Sequence, residues 1–160
     1  MVVLTRSPQI LGKNTQDSMK KLILNCLENQ RNFSDNKSYL PHFLEEYCIV
    51  RISCGRQTGQ TTAAVELAHN MFEHSAFISL NPILKNNAEH LYRQIYNKAL
   101  HKTHFCTPLS LEKIYGHPIE AVFVDDVSQM SIETLNKIYS SGRRFLEARE
   151  GKPFVLVLVG

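Results

Sequence analysis

The sequence predicts an α/β fold, a three-layer α/β/α sandwich in which helices cover both faces of a mainly parallel sheet. Short apolar runs of strand length alternate along the chain with longer segments whose apolar residues recur at helical spacing. One run, residues 121–124, is wholly apolar, as expected of a strand buried on both faces. In such a sheet, ligands bind beyond the carboxyl ends of the strands.

The composition predicts a soluble globular protein with one domain. The chain has 160 residues, of which 43% are hydrophobic and 21% charged. Its net charge of +3 is too small to indicate nucleic-acid binding. No apolar run approaches the roughly 20 residues that cross a bilayer, and the N-terminus lacks the order of a signal peptide. We therefore expect no membrane partner and a cytoplasmic location.

Four cysteines occur without a C-x-x-C pair or a disulfide-framework spacing. They are Cys26, Cys48, Cys54 and Cys106. Reduced thiols are the simplest interpretation, and they agree with a cytoplasmic location.

The first 45 residues are predicted to be a helical lead-in that packs on the core. Residues 1–15, with Pro8 and Gly12, suggest an irregular start. Apolar residues at helical spacing then predict a helix over 17–29, capped by Ser18 or Asp17. A polar loop over 29–38 and a short helix over 39–44 follow.

Residues 46–160 are assigned to the core of the same single domain. Strands alternate with helices, which predicts a largely parallel sheet. In chain order we predict a strand over 48–52, a helix from 61 to about 74, a strand over 76–80, a helix over 83–100, a short strand over 103–106, a helical turn over 110–115, a strand over 121–124, a helix over 131–148 and a strand over 154–159.

A glycine turn joins the first strand to the helix that follows it. Gly55 and Gly59 lie in this turn, and the helix starts near Thr61. Unpaired main-chain N–H groups and the positive end of the helix dipole meet at such a point. The turn is therefore predicted to bind phosphate.

The same turn departs from the Walker A pattern G-x-x-x-x-G-K-[ST] at two positions. Cys54 stands at the first glycine and Gln60 at the lysine, whereas Thr61 keeps the hydroxyl that would bind Mg²⁺. A neutral amide donates weaker hydrogen bonds than a charged lysine, so weak binding or slow hydrolysis is expected unless Arg56 or another cation substitutes. The predicted ATP-binding residues are Gly55, Arg56, Gln57, Thr58, Gly59, Gln60, Thr61 and Thr62.

Two carboxylates end the wholly apolar strand over 121–124. They are Asp125 and Asp126, in the arrangement known as Walker B. The first would hold Mg²⁺ and the second could orient an attacking water. Both acids and the glycine turn fall at the carboxyl edge of the predicted sheet. Alternatively, they form an ordinary loop that caps the next helix.

These segments resemble P-loop NTPases of the additional-strand, RecA-like class, in which a further strand lies between the Walker A and Walker B strands in the sequence. Residues 55–62, GRQTGQTT, resemble the R-Q-x-G-K-T-T turn in the ATPase domain of phage terminase large subunits. Residues 122–126, VFVDD, are similar to that family's Walker B strand. Residues 138–144, IYSSGRR, resemble the turn before its next strand. The resemblance extends over residues 48–160.

The resemblance implies a Mg²⁺-dependent ATPase domain of a DNA-packaging motor, in the host cytoplasm if viral. Thr61 and Asp125 would bind Mg²⁺. Asp126 would be the catalytic base where the family usually has Glu, and Arg56 would reach toward the γ-phosphate. The implied partners are double-stranded DNA and other motor subunits, and a homo-oligomer is possible.

Other interpretations stay open at this point. Superfamily 1 and 2 helicases are also similar, at residues 105–108 (FCTP) and 126–130 (DVSQM). A P-loop protein that binds nucleic acid or a protein without hydrolysis also fits Gln60. His101, His104 and Cys106 form H-x-x-H-x-C, a metal pattern that lacks an evident fourth ligand. Arginines 143, 144 and 149 with Lys152 form either a solvated helix end or a DNA contact.

Overall fold

A computed structural model of the protein describes residues 8–32, 42–53, 59–97 and 102–160. Its strands form one sheet in which every neighbouring pair is parallel, in the order β1-β5-β4-β2-β3. The strands are β1 (Ile49–Ile52), β2 (Ser75–Ile78), β3 (Thr103–Cys106), β4 (Ala121–Val124) and β5 (Val155–Val159).

Helices cover both faces of this sheet. The α-helices of the described residues are α1 (Pro8–Arg31), α2 (Gln60–Met71), α3 (Pro82–Tyr96) and α4 (Ile132–Ala148). Short helices also occur: a π-helix at Leu44–Cys48 and 3₁₀-helices at Pro108–Ile114 and Val127–Gln129. One core packs α1, α2 and α3 on one face, and a second packs α4, the π-helix and the longer 3₁₀-helix on the other. The predicted three-layer α/β/α sandwich is confirmed.

The capping residues explain where α3 and α4 begin. The Asn81 side chain accepts a hydrogen bond from the Leu84 N–H at 2.9 Å, and Pro82 occupies the first helical turn. The Ser131 hydroxyl likewise accepts from the Thr134 N–H at 3.2 Å. Each cap satisfies an N–H group that has no partner within its own helix. The two caps therefore fix the residues at which α3 and α4 begin.

The predicted bounds were wrong at three helices. Residues 8–15 are helical rather than irregular, since Pro8 stands at the first helical position, where its missing N–H costs nothing; neither Asp17 nor Ser18 is therefore a cap. Helix α2 ends at Met71, not near His74. Helix α3 ends at Tyr96, because Asn97 adopts a left-handed conformation (φ 44°).

Residues 138–144 lie inside α4, as the helix predicted over 131–148 requires, and do not form the turn that their resemblance to terminases suggests. A Cβ at Gly142 would lie 3.2 Å from Leu44 Cδ2. The glycine thus lets α4 pack closely on the π-helix, and close packing rather than chain reversal explains it.

Gln30 ties the end of α1 to the sheet. Its side chain is only 8% exposed. Its amide donates to the Phe154 carbonyl at 2.7 Å and the Tyr47 carbonyl at 3.1 Å, and its oxygen accepts from the Phe154 N–H at 3.0 Å. One side chain therefore satisfies three main-chain groups, where β5 begins and where the π-helix ends.

None of the described helices is long and apolar enough to cross a membrane. Of the four cysteines, Cys26, Cys48 and Cys106 are free thiols. Burial raises the pKa of Cys48 and Cys106 to about 12, so these thiols stay protonated.

Candidate functional site

The candidate site lies at the carboxyl edge of the sheet, where β1 leads toward α2 and β4 ends at Asp125. All strands are parallel, so these ends meet at one edge, with β5 between them. The main chain of β5 is held to β1 there by a 2.9 Å hydrogen bond from the Gly160 N–H to the Ile52 carbonyl. The order of the strands thus brings together residues far apart in sequence.

Helix α2 starts at this edge after a glycine. Gly59 is its N-cap residue, adopts the left-handed conformation (φ 73°, ψ 24°) and provides no side-chain cap. The Ala63 N–H donates to the Gly59 carbonyl at 2.9 Å and closes the first turn. A helix that starts this way directs main-chain N–H groups and the positive end of its dipole outward, which suits a phosphate group.

The first turn of α2 contacts the end of β4 through side chains. The Thr61 hydroxyl donates a hydrogen bond to Asp125 Oδ2 at 2.7 Å. The other carboxylate oxygen of Asp125 accepts the N–H of Asp126 at 3.0 Å. Asp125 is 8% exposed, so both its oxygens are held in a nearly buried position.

Burial raises the pKa of the Asp125 carboxyl above its ordinary value of 3.8. The hydrogen bond from Thr61 opposes this rise, and the neighbouring Asp126 adds to it. A carboxylate that is costly to ionise in the absence of a cation gains more from a bound Mg²⁺ than an exposed one does.

Asp126 occupies a strained turn directly after Asp125. Its main chain is left-handed (φ 54°, ψ 38°) and starts the short 3₁₀-helix Val127–Gln129. The Gln129 N–H donates to its carbonyl at 3.0 Å. The left-handed conformation is strained for a residue other than glycine, and such residues are often found at functional sites. The half-buried carboxylate of Asp126 thus lies beside Asp125 at the same edge.

The residues predicted from sequence divide into two groups. The structure brings the start of α2, which includes Gly59, Gln60, Thr61 and Thr62, to the end of β4 through the contact of Thr61 with Asp125. Four other predicted residues, Gly55, Arg56, Gln57 and Thr58, lie outside the described residues, as does Cys54. Where the prediction falls within the described ranges, its two halves meet through the Thr61–Asp125 hydrogen bond.

The residues present fit a magnesium-bound phosphate. A hydroxyl and a carboxylate, both hard oxygen donors of the kind Mg²⁺ prefers, lie 2.7 Å apart. Mg²⁺ is usually bound through one or two protein oxygens, with waters and substrate phosphates as its remaining ligands. The helix N-terminus beside them supplies N–H donors for such phosphates.

Gly160, which borders this site, is not among the site residues predicted from the sequence. It has a φ of +106°, and a Cβ on it would lie 3.4 Å from Asp126 Cα and from the Val127 N. The sequence does contain a signal for its place at the site, because this glycine follows an apolar strand that ends at the same sheet edge as Asp125. A side chain at 160 would contact the Asp126 turn, and the positive φ would strain any residue other than glycine there.

The structure also bears on the two other candidate sites, the H-x-x-H-x-C pattern and the arginines near the end of α4. His101 lies outside the described residues, and across those that are described no three His, Cys, Asp or Glu side chains are arranged to hold a metal. The arginines of the possible DNA contact have intramolecular partners: Arg143 pairs with Glu45, Arg144 lies 4.2 Å above the Tyr115 ring, and Arg149 lies 3.9 Å from Glu120. These contacts favour a structural role for all three.

No known protein family has a model that matches this sequence, and no curated protein matches it. The geometry of the site and its sequence pattern are therefore what indicate a function for this chain.

Proposed function

We propose that this chain binds a Mg²⁺–nucleoside triphosphate, ATP by resemblance, at the carboxyl edge of its sheet. The observation that carries the proposal is the 2.7 Å hydrogen bond between the Thr61 hydroxyl and Asp125 Oδ2. It joins the residue at the Walker A threonine position to the first Walker B acid, and both are ligand types for Mg²⁺.

Each residue has a distinct part in this proposal. The N–H groups at the start of α2, after Gly59, donate to phosphate oxygens. Thr61 and Asp125 hold the metal ion, which neutralises phosphate charge when bound. Asp126, one residue on, accepts a proton from the attacking water. Arg56 would supply the positive charge that Gln60 lacks.

The wider role we propose is the ATPase of a terminase-like DNA-packaging motor. Its support is the resemblance over residues 55–62 and 122–126, together with an all-parallel sheet in which the start of α2 and the end of β4 lie at one edge. Double-stranded DNA and further motor subunits are then the partners to test. The helicase-like role has the same site chemistry, and ATP-dependent unwinding of a DNA duplex would distinguish it.

A second candidate is a nucleotide-binding protein that does not hydrolyse ATP. The specific observation in its favour is Gln60 at the lysine position. Lysine provides a charge-assisted hydrogen bond to the β- and γ-phosphates, about twice as strong as that of a neutral amide. Binding without turnover is the expected signature of this candidate.

Thermal and chemical unfolding with ATP test the shared claim of binding. A ligand at 100 times its Kd adds about 2.7 kcal/mol to the unfolding free energy. We expect stabilisation by ATP with Mg²⁺, much less with ATP and a chelator, and little with Mg²⁺ alone. Phosphate release measured on the same samples then separates the ATPase from the non-hydrolysing protein.

Two variants make the test specific to the site. Asp125→Asn removes the metal-binding charge and should abolish the Mg²⁺-dependent part of the stabilisation. Glu133→Gln is the matched control, since it removes one exposed carboxylate from the first turn of α4. An unfolding free energy that ATP and Mg²⁺ leave unchanged in the wild-type protein would refute nucleotide binding. Equal stabilisation of wild type and Asp125→Asn would refute the assigned metal site.

A further inference from the structure

A groove of about 430 Å³ lies at the carboxyl edge of the sheet, beyond the ends of β2 and β3. Three segments form its walls: the chain that leads from β2 into α3, the start of the 3₁₀-helix after β3, and the first turns of α4. All three segments lie within ranges that the structure describes without a gap, residues 59–97 and 102–160. In parallel α/β sheets this edge is where ligands bind.

The lining of this groove is mainly apolar. Its apolar residues are Leu80, Pro82, Pro108 and Leu109. Leu109 is 84% exposed, more than any other large apolar side chain that the structure describes, so it gains from burial under a ligand. Small-molecule sites typically have volumes of roughly 300–1,000 Å³ and apolar walls with a few polar groups that fix orientation. The groove has the size and the lining of such a site.

The charges around the groove favour an anion. Lys137 lines it from α4 and forms no ion pair with any described carboxylate. Glu133 lies one turn earlier, but a carboxylate in the first turn of a helix is already stabilised by the helix dipole. Both α3 and α4 begin at the groove, so the positive ends of two helix dipoles add to the charge of Lys137.

We propose that this groove binds a small organic anion, a molecule with an apolar body and a carboxylate. The apolar body packs against Leu109 and the two prolines. The carboxylate accepts a charge-assisted hydrogen bond from the Lys137 ammonium group. Single-stranded nucleic acid fits less well, because it is bound by stacking on aromatic side chains, and none of the described residues that line the groove is aromatic.

The groove is separate from the proposed nucleotide site, although both lie at the same edge of the sheet. The Asp125 N–H donates to the Ile78 carbonyl at 3.0 Å, and Leu80 of the groove follows two residues after Ile78. Neither Thr61 nor Asp125 lines the groove. The anion therefore binds without nucleotide or Mg²⁺, and either proposal can fail without the other.

An NMR titration of the nucleotide-free chain with 3-phenylpropanoate tests the proposal. We expect saturable shifts of the main-chain amide signals of Leu80, Leu109 and Thr134, which line the groove. 3-Phenylpropan-1-ol and 3-phenylpropylamine keep the apolar body but replace the carboxylate with a neutral or a positive group, and acetate lacks the body. Each should bind about tenfold more weakly or worse. Equal binding of the amine and the carboxylate would overturn the assigned charge.

Two variants test the contacts, each with a matched control. Lys137→Met removes the charge and Leu109→Gln the apolar contact, and each should raise the Kd of 3-phenylpropanoate about fivefold or more. Both positions are exposed, so neither change should disturb the fold. Lys20→Met and Leu24→Gln make the same changes at exposed positions of α1, away from the groove, and should leave the Kd unchanged. Groove amide signals that do not move at any concentration overturn the proposal, and so does a Kd that both groove variants leave unchanged.

Discussion

The Thr61 hydroxyl lies 2.7 Å from Asp125 Oδ2, although 64 residues separate the two in the chain. The contact exists because α2 starts and β4 ends at the same edge of a parallel sheet. While it is ionised, the Asp125 carboxylate can only accept hydrogen bonds, and the Thr61 hydroxyl donates one to it. Its strength and its dependence on pH are therefore measurable without any ligand.

Replacing Thr61 by valine should lower the unfolding free energy by about 1–3 kcal/mol. Valine keeps the shape but removes the donor, so a nearly buried carboxylate oxygen loses its partner. Thr61→Ser is the control, because it retains the hydroxyl. Urea unfolding measures both, and a valine variant as stable as the serine variant would contradict the contact.

Asp125 should make the protein less stable as the pH rises. Its pKa is raised in the folded state, chiefly by burial, so the native carboxyl keeps its proton to a higher pH than the unfolded one. Its stabilising contribution is complete below its ordinary value of 3.8 and is lost as the pH rises through the folded pKa. The contribution of Asp125 is isolated by measuring, at each pH, the difference in unfolding free energy between wild type and Asp125→Asn. A difference that is constant across this range would show that the carboxyl is not perturbed.

His104 should make the protein less stable as the pH falls. Its pKa is lowered from 6.5 by burial and by the adjacent His117 and His74, and its buried Nε2 has no hydrogen-bond partner. The folded state therefore favours neutral imidazole. The stability this provides is present above pH 6.5 and is lost as the pH falls toward the folded pKa. Wild type should lose more unfolding free energy than His104→Gln on acidification, and equal losses would contradict the assignment.

Gln30→Ala should lower the unfolding free energy by roughly 2–4 kcal/mol, because the buried N–H and carbonyl of Phe154 lose this partner and the Tyr47 carbonyl keeps only the Cys26 thiol as a side-chain donor. Gln30→Glu keeps an acceptor for the Phe154 N–H but cannot donate to the two carbonyls while ionised. We expect it to be destabilised as well. Gln94→Ala, at an exposed position of α3, is the control and should change the unfolding free energy by less than about 0.5 kcal/mol.

Gln60→Lys should raise phosphate release about tenfold or more if the site is a disabled ATPase. The added charge strengthens contact with the β- and γ-phosphates, and each 1.36 kcal/mol of transition-state stabilisation gives about a factor of ten. Gln60→Met controls for side-chain length without charge. Substantial and equal turnover in wild type and Gln60→Lys would instead assign the compensating charge to Arg56.

The strongly patterned elements could be predicted closely from sequence. The apolar run at Ala121–Val124 and the short strand at Thr103–Cys106 have the predicted bounds. Helix α4 begins one residue after its cap, Ser131. These elements depend on local patterns, because a buried strand is wholly apolar and a serine cap satisfies N–H groups within four residues.

Elements whose bounds depend on distant contacts were less predictable. Helix α1 starts at Pro8, well before its apolar repeat begins. Gly142 looks like a turn residue in the sequence but is needed where α4 approaches Leu44. Nothing in the sequence indicates the role of Gln30, because its main-chain partners belong to Tyr47 and Phe154, 17 and 124 residues away.

For the candidate site, the sequence by itself determined the chemistry: a glycine-bounded helix start, a hydroxyl at Thr61 and two acids at the end of an apolar strand. Only the tertiary structure decided that these groups meet, because the strand order β1-β5-β4 sets the distance between the ends of β1 and β4. The same strand order leaves β1 at an edge of the sheet that the described strands form. Local patterns specify which groups a segment carries, whereas strand order, which depends on packing across the whole chain, specifies which of them become neighbours.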